Sequence, residues 1–161
     1  MDALQTLNAV LGGGKSSRLF QEVREKQGLA YSVYSYTSAF EECGSLIVYA
    51  GVSPSTADKA YASIEMCIAE ILKDGLTQDE FLRGREQMKS SLLFAQESTS
   101  AQMLMYGKYM MYNNAVLNLD EKLEAINKVT LDDVMKAAEL VFSSGKRAIG
   151  VIGNTNRPLP L

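Results

Sequence analysis

The chain has 161 residues, of which 47% are hydrophobic and 22% charged, with a formal net charge of −3. This size and composition fit one globular domain with its own hydrophobic core, and the acidic balance excludes a typical nucleic-acid-binding protein. The sequence contains no histidine, which excludes a His general base, a Ser-His-Asp or Cys-His nucleophile system and a His metal ligand.

The first third of the chain predicts two helices followed by a β-hairpin. Residues 3–11 carry apolar side chains at helical spacing, and three consecutive glycines at 12–14 end that helix. A short amphipathic helix follows, and Gly28 is its predicted left-handed stop. The Tyr-, Val- and Ser-rich residues 31–40 and the apolar residues 46–52 are typical of two strands joined by a turn at 41–44.

The middle of the chain is predicted to be helical. Ser53-Pro54 marks the start of a helix that Gly75 ends. Thr77 with Glu80 forms a capping box, which opens a helix running to about Ser98. A further helix is predicted over residues 101–112, before the Asn113-Asn114 pair breaks the pattern.

The last part of the chain predicts two helices and a strand. A short helix covers 120–127, Thr130 with Asp133 forms a second capping box, and residues 147–152 have strand composition. We therefore expect one α+β domain over 1–161, with an antiparallel or mixed sheet covered by helices. Three strands make a narrow sheet and the first helix begins abruptly, so we expect a fragment of a longer protein, truncated at its N-terminus.

The cysteines and the hydropathy pattern predict a soluble chain. Cys43 and Cys67 lack the spacing of a zinc ribbon or a disulfide framework, so we predict two reduced, buried thiols rather than one disulfide. No run of apolar residues is long enough to cross a membrane, and no signal peptide begins the chain. These features favour the cytoplasm without establishing the compartment.

The segment from Gly12 to Ser16 ends like a phosphate-binding P-loop. A P-loop requires a glycine five positions before Gly14, where this chain has Ala9, and it follows a buried strand rather than a helix. We therefore interpret the glycines as a flexible hinge. A nucleotide-binding module remains the alternative.

Two sets of side chains are candidates for contact surfaces. The first set consists of methionines and tyrosines that lie at helical spacing. We assign them to the core or to a domain interface, and a flexible interaction site is the alternative. These are Met103, Met105, Tyr106, Tyr109, Met110, Met111 and Tyr112. Tyr34, Tyr36 and Tyr49 are predicted to line the hairpin, whose edge could receive an extended peptide as an added strand.

Residues 17–34, with the sequence SRLFQEVREKQGLAYSVY, resemble a motif in the C-terminal half of pitrilysin-type zinc peptidases. That family includes insulin-degrading enzyme and the mitochondrial processing peptidases. The similarity continues in the same order through GLT at 75–77, ES at 97–98 and VTLDDV at 129–134. The resemblance implies a processing-peptidase-like half-domain.

The resemblance also implies a substrate-binding role for Arg24 and Tyr31, which match an Arg and a Tyr seven positions apart in the family motif. A guanidinium offers a fixed fork of donors to a peptide carbonyl or carboxylate, and a phenol can donate to a scissile carbonyl as charge develops on it. The alternative is that Arg24 pairs with a nearby acid such as Glu25 while Tyr31 simply packs.

The family's inverted zinc motif, H-x-x-E-H, cannot occur in a chain without histidine. The resemblance places that motif, and with it the zinc, in a separate N-terminal half or a partner subunit. We therefore expect a metal-free domain, inactive alone, that grips a peptide for hydrolysis at that other half. A non-catalytic scaffold subunit of the same family is the alternative, and self-association of the chain is a further possibility.

Overall fold

The structure is a computed structural model that describes residues 1–40 and 42–153. A π-helix and a two-stranded antiparallel sheet lie among six α-helices. The predicted α+β class, with a sheet covered by helices, is confirmed. In chain order the elements are α1 Asp2–Gly12, the π-helix Phe20–Lys26, β1 Ala30–Ala39, β2 Gly44–Val52, α2 Ala57–Asp74, α3 Gln78–Ala95, α4 Thr99–Asn113, α5 Leu119–Lys128 and α6 Leu131–Phe142.

The hairpin was predicted from composition and its observed limits differ by one or two residues. β1 and β2 pair from Ala30 opposite Val52 to Ala39 opposite Gly44. Tyr34 stacks on its cross-strand partner Tyr49, with ring centroids 5.0 Å apart. Such aromatic pairs stabilise a register, because slippage would separate them. Of the predicted turn at 41–44, Glu41 lies outside the described residues.

The core lies between the hairpin and the helices around it. α1 packs against β1 on one side and against α3 and α6 on the other. Its apolar stripe supplies Leu7 and Leu11, which meet Leu19 and Val23 from the next helical segment and Ile71 from α2; all five are fully buried. The period of the apolar residues in the sequence therefore identified the faces that α1, the following helical segment and α2 bury.

The helix ends follow the predicted signals closely. Both capping boxes are formed: Thr77 exchanges hydrogen bonds with Glu80 at the start of α3, and Thr130 does so with Asp133 at the start of α6. Gly75 ends α2 with φ of 76°. α2 itself begins at Ala57, a few residues beyond the predicted Ser53-Pro54 start.

The predicted strand at 147–152 is wrong. Within the described residues β1 and β2 pair only with each other, and 147–152 has no strand conformation. The segment is fixed instead through Arg147, which donates to the carboxylate of Glu65 on α2. Strand-like composition forms a strand only where the segment pairs with a neighbour, and no strand pairs with 147–152 among the described residues.

The Met- and Tyr-rich helix α4 is not part of the core. α4, which lies wholly within the described range, buries none of its side chains, and Met111 is 76% exposed. The core assignment is therefore wrong, while a domain interface stays a prediction. Among the described helices, none combines the length and apolar character needed to span a bilayer.

Candidate functional site

The structure brings Arg24 and Tyr31 together. The guanidinium carbon of Arg24 lies 5.8 Å from the centroid of the Tyr31 ring and 5.0 Å from that of Phe20. These distances lie within the range of cation–π attraction. Arg24 is exposed, and the Tyr31 side chain is 87% exposed. The two predicted residues thus form one accessible cationic and phenolic pair.

The end of the π-helix positions Arg24. The Leu29 N–H donates to the Val23 carbonyl at 2.9 Å, and the Gly28 N–H donates to the Arg24 carbonyl at 3.1 Å. Gly28 adopts φ of 61°, the left-handed conformation that glycine accepts without a Cβ clash. The predicted glycine stop is confirmed, and it reverses the chain so that β1 starts next to the helix end.

A β-bulge at the start of β1 positions Tyr31. Ala30 lies opposite Val52 while Ser32 lies opposite Gly51, so Tyr31 is the extra residue on its strand. Ala30 and Val33 both point into the core, and Tyr31 points outward between them. Bulges re-aim a side chain and recur beside active sites. The sequence gives no sign of this bulge.

The connector between the two residues is fastened to α2. The Thr56 hydroxyl donates to the Leu29 carbonyl at 2.9 Å, and the buried Ser63 hydroxyl donates to the Gln27 side-chain oxygen, also at 2.9 Å. These bonds hold the turn between Arg24 and Tyr31 at both of its ends. The pair therefore stands on a fixed backbone rather than on a free loop.

Tyr31 opens onto a cleft of about 630 Å³ at the open end of the hairpin. The walls are mostly backbone, small side chains and hydroxyl groups, which suits a main chain that passes close by and needs hydrogen-bond partners. They are formed by Gly28, Leu29, Ala30, Tyr31, Ser32, Tyr49, Gly51, Val52, Ser53 and Thr56. None of these residues is charged, and Arg24 is linked to the cleft through its contact with Tyr31.

The Arg24 guanidinium has no acidic partner within the part of the chain that the structure describes. Glu22, on the same helix, pairs with Lys26 instead. The alternative in which Arg24 pairs with Glu25 while Tyr31 packs does not describe this arrangement, since Tyr31 is exposed and Arg24 faces aromatic rings. The charge of Arg24 is therefore available to a ligand.

Within the described residues, the cysteines are unpaired and the acidic side chains form no metal-binding group. Both cysteines are free, as predicted; Cys67 is buried, but Cys43 is exposed, contrary to the prediction. Burial raises the pKa of the Cys67 thiol to about 11, so it stays protonated at neutral pH. Over the described ranges, no three His, Cys, Asp or Glu side chains are grouped to hold a metal ion.

The glycine-rich segment forms a packing contact, and its setting is not that of a P-loop. It follows α1 rather than a strand, as predicted. Gln87 donates to the Gly13 carbonyl at 2.6 Å, and the Ser17 hydroxyl donates to the Gly14 carbonyl at 2.6 Å. A Cβ at Gly12 would lie 2.3 Å from the Ser35 nitrogen. These contacts correct the interpretation of the segment as a free hinge.

The sequence did not place Phe20 and Thr56 near the pair, and it predicted Tyr49 only as a residue that lines the hairpin. Phe20 lies four positions before Arg24, a spacing that places side chains on one helix face and could have revealed the contact. Tyr49 and Thr56 reach the cleft from the end of β2 and from the start of α2. Their placement depends on strand register and helix docking, which no local sequence signal specifies.

Comparison with known proteins gives consistent matches. A family model described as "Peptidase M16 inactive domain" matches residues 1–88. An uncharacterized zinc protease of Bacillus subtilis is 41% identical over 140 residues, covering 87% of this chain and 34% of that protein. A second, from Streptomyces coelicolor, is 44% identical over 155 residues, covering 94% and 33%. The chain thus spans about a third of the length of these relatives.

A solved structure shows the same fold. The peptidase M16 inactive domain from Pseudomonas fluorescens superposes with a TM-score of 0.75 at 26% identity, covering 87% of this chain and 33% of that one. The likeness therefore extends over most of this chain.

Proposed function

Because this chain belongs to the peptidase M16 inactive-domain family, we propose that it is the substrate-binding, metal-free domain of a zinc metalloendopeptidase. In this role Arg24 and Tyr31 hold an extended peptide for hydrolysis at a zinc site in another domain or subunit. The observation that carries the proposal is the exposed Arg24–Tyr31 pair beside an uncharged cleft. An unpaired arginine in contact with a tyrosine that lines such a cleft suits a peptide ligand.

Arg24 binds the peptide through its guanidinium. A planar fork of donors can bond a main-chain carbonyl or a carboxylate in two places, which fixes the orientation of the ligand. The charge does not have to break an existing ion pair before it binds, because no carboxylate of the described residues occupies it. Binding therefore costs little reorganisation at this residue.

Tyr31 acts through its phenol hydroxyl. The side chain projects from the bulge into the cleft, where the hydroxyl can donate to a peptide carbonyl. A donor in this position gains strength as negative charge grows on the carbonyl oxygen during attack by water. The hydrogen bond from Thr56 to the Leu29 carbonyl holds the backbone just before Tyr31, which limits the positions that the phenol can reach.

The zinc and the general base belong to a different part of the parent enzyme. This chain offers no histidine, while the matched relatives carry the name zinc protease. The partners proposed for the chain are accordingly a peptide substrate and a catalytic half, either in the same polypeptide or in a partner subunit. Alone, the chain is expected to bind peptide without cleaving it.

A scaffold subunit of the same family is the second candidate. It is favoured by α4, whose apolar side chains, including Met103, Leu104 and Met111, are exposed. Exposed apolar surface of this kind is typical of a contact with another domain or with a second copy. In that case the exposed surface of α4, and not the cleft beside Tyr31, would be the functional part.

Cleavage assays separate these two candidates. The intact protein that contains this chain, or this chain combined with its zinc-binding partner, should hydrolyse dephosphorylated casein, and a zinc chelator should abolish the hydrolysis. Readdition of zinc should restore it. A parent protein that binds its partner through α4 but cleaves nothing with any metal would contradict the peptidase role and support the scaffold.

A further inference from the structure

Phe20 is the aromatic residue nearest to the Arg24 charge in the candidate site. It begins the π-helix, four positions before Arg24, and its half-buried ring lies 5.0 Å from the guanidinium carbon, closer than the Tyr31 ring at 5.8 Å. Phe20 does not line the cleft that Tyr31 faces. It therefore touches Arg24 without being placed to touch a ligand in that cleft.

The two rings determine where an otherwise unpaired side chain rests. A free arginine on a helix surface samples many rotamers, and no carboxylate among the described residues holds this one. The face of an aromatic ring attracts a guanidinium. The N–H donors lie in the plane of the guanidinium and stay free to bond a ligand. The contacts with Phe20 and Tyr31 thus orient the fork without using up its hydrogen bonds.

From this geometry we propose that Phe20 is a positioning residue: its ring holds the Arg24 guanidinium beside Tyr31, ready for a peptide. The inference rests on the proposed function for its consequence in binding, but the positioning itself is a property of the chain alone. A ligand then meets a cation that is already in place, which lowers the ordering cost of binding.

The test uses the 161-residue chain with Phe20→Leu, Phe20→Met and Phe20→Tyr, each checked for folding by circular dichroism. NMR reports the Arg24 Hδ and Hε resonances, which the faces of nearby rings shift upfield. We expect downfield movement in the Leu and Met variants and a retained shift in Phe20→Tyr. Unchanged Arg24 resonances in both folded aliphatic variants would overturn the proposal.

Peptide binding gives the functional readout, measured by fluorescence anisotropy with fluorescein-labelled, dephosphorylated casein. We expect Phe20→Leu to weaken binding about three- to fivefold, as the loss of one exposed cation–π contact would, and Phe20→Tyr to bind as wild type does. In an Arg24→Ala background Phe20→Leu should have no further effect. An equal loss in that background would overturn the positioning role.

The two readouts separate the two claims. If the wild-type chain fails to bind casein, the proposed function is contradicted, and the Arg24 resonances alone then decide whether Phe20 positions the guanidinium. If casein binds but the aliphatic variants change neither the resonances nor the affinity, the proposed function stands and the positioning role is wrong.

Discussion

The guanidinium of Arg18 forms a two-pronged ion pair with the carboxylate of Glu80, 62 positions further along the chain. Its Nε and Nη2 atoms donate to the two carboxylate oxygens at 2.7 and 2.9 Å, and Nη2 also donates to the Gly75 carbonyl at 2.9 Å. Glu80 is at the same time the capping-box residue of α3. One carboxylate therefore joins the segment before the π-helix to the α2–α3 corner.

Replacement of Arg18 by Met should destabilise the fold. It leaves the largely buried Glu80 carboxylate without its charged partner, which costs about 2 kcal/mol of the free energy of unfolding, as measured by urea denaturation at pH 7. Lys136→Met is the matched control, because it removes an ion pair between fully exposed residues and should change stability little. Equal effects of the two substitutions would contradict this account.

The same pair predicts a specific pH dependence. The hydrogen bonds from Arg18 hold the pKa of Glu80 at about 2, below its ordinary value of 4.5. As the pH falls, the carboxyl group of Glu80 is therefore protonated in the unfolded chain before it is protonated in the folded chain. The stabilisation is fully present above pH 4.5 and is lost towards pH 2. Wild type should lose more unfolding free energy across that range than Arg18→Met, and parallel curves would contradict the assignment.

Gly12 and Gly107 form a test of close packing. A Cβ at Gly12 would meet the Ser35 backbone nitrogen at 2.3 Å, whereas one at Gly107, within α4, would meet nothing within 4 Å. Gly12→Ala should therefore lower the free energy of unfolding by about 2–3 kcal/mol. Gly107→Ala should raise it by about 0.5–1 kcal/mol, because alanine favours a helix. A neutral Gly12→Ala would show that α1 and β1 can separate at no cost.

Features with a local cause could be predicted from the sequence. The two capping boxes, the Gly28 and Gly75 stops and the apolar stripe of each core helix depend on residues a few positions apart, and all were found where expected. The strand predicted at 147–152 did not form, because a strand needs a neighbouring strand to pair with, and local composition does not show whether one is present. The exposure of α4 likewise depends on what packs against it, so helical spacing alone led to the wrong assignment to the core.

The site was predictable in part. The resemblance of residues 17–34 identified Arg24 and Tyr31, and the glycine stop explained how they could meet. Two features of the site could not be predicted from the sequence. The bulge that turns Tyr31 outward arises from the register of the two strands. The π-helix that carries Arg24 arises from a change in the backbone hydrogen-bond pattern of the folded chain. Neither the family resemblance nor the glycine stop predicted the contact between Arg24 and Phe20.

Gly28 tests whether the backbone between the two site residues controls them. Its φ is 61° and a Cβ there would meet nothing within 4 Å, so a substitution changes stability through the backbone conformation rather than through a steric clash. Gly28→Val should lower the free energy of unfolding by about 1–2 kcal/mol and weaken peptide binding. Gly28→Asn should be milder, because asparagine tolerates the left-handed region. Identical effects of the two side chains would contradict a conformational role.

The hairpin edge provides a prediction about how the peptide lies. We expect an extended peptide to add to the edge of the sheet, since main-chain hydrogen bonds suit ligands of varied sequence. Hydrogen exchange should then slow at amides of β1 or β2 that lack a partner in the hairpin. Addition of peptide without any such protection would exclude strand addition and leave the Arg24–Tyr31 contacts as the mode of binding.

The most direct test of the substrate-binding role is zinc-dependent peptide cleavage by the intact parent protein, comparing Arg24→Ala and Tyr31→Phe with wild type. The controls are Arg83→Ala and Tyr61→Phe, which remove the same groups from α3 and α2, outside both the candidate site and the α4 surface. We expect each site variant to lower kcat/KM by about tenfold or more, roughly 1.4 kcal/mol of transition-state stabilisation, with both controls at wild-type rates. Site variants that cleave as fast as wild type would contradict the account.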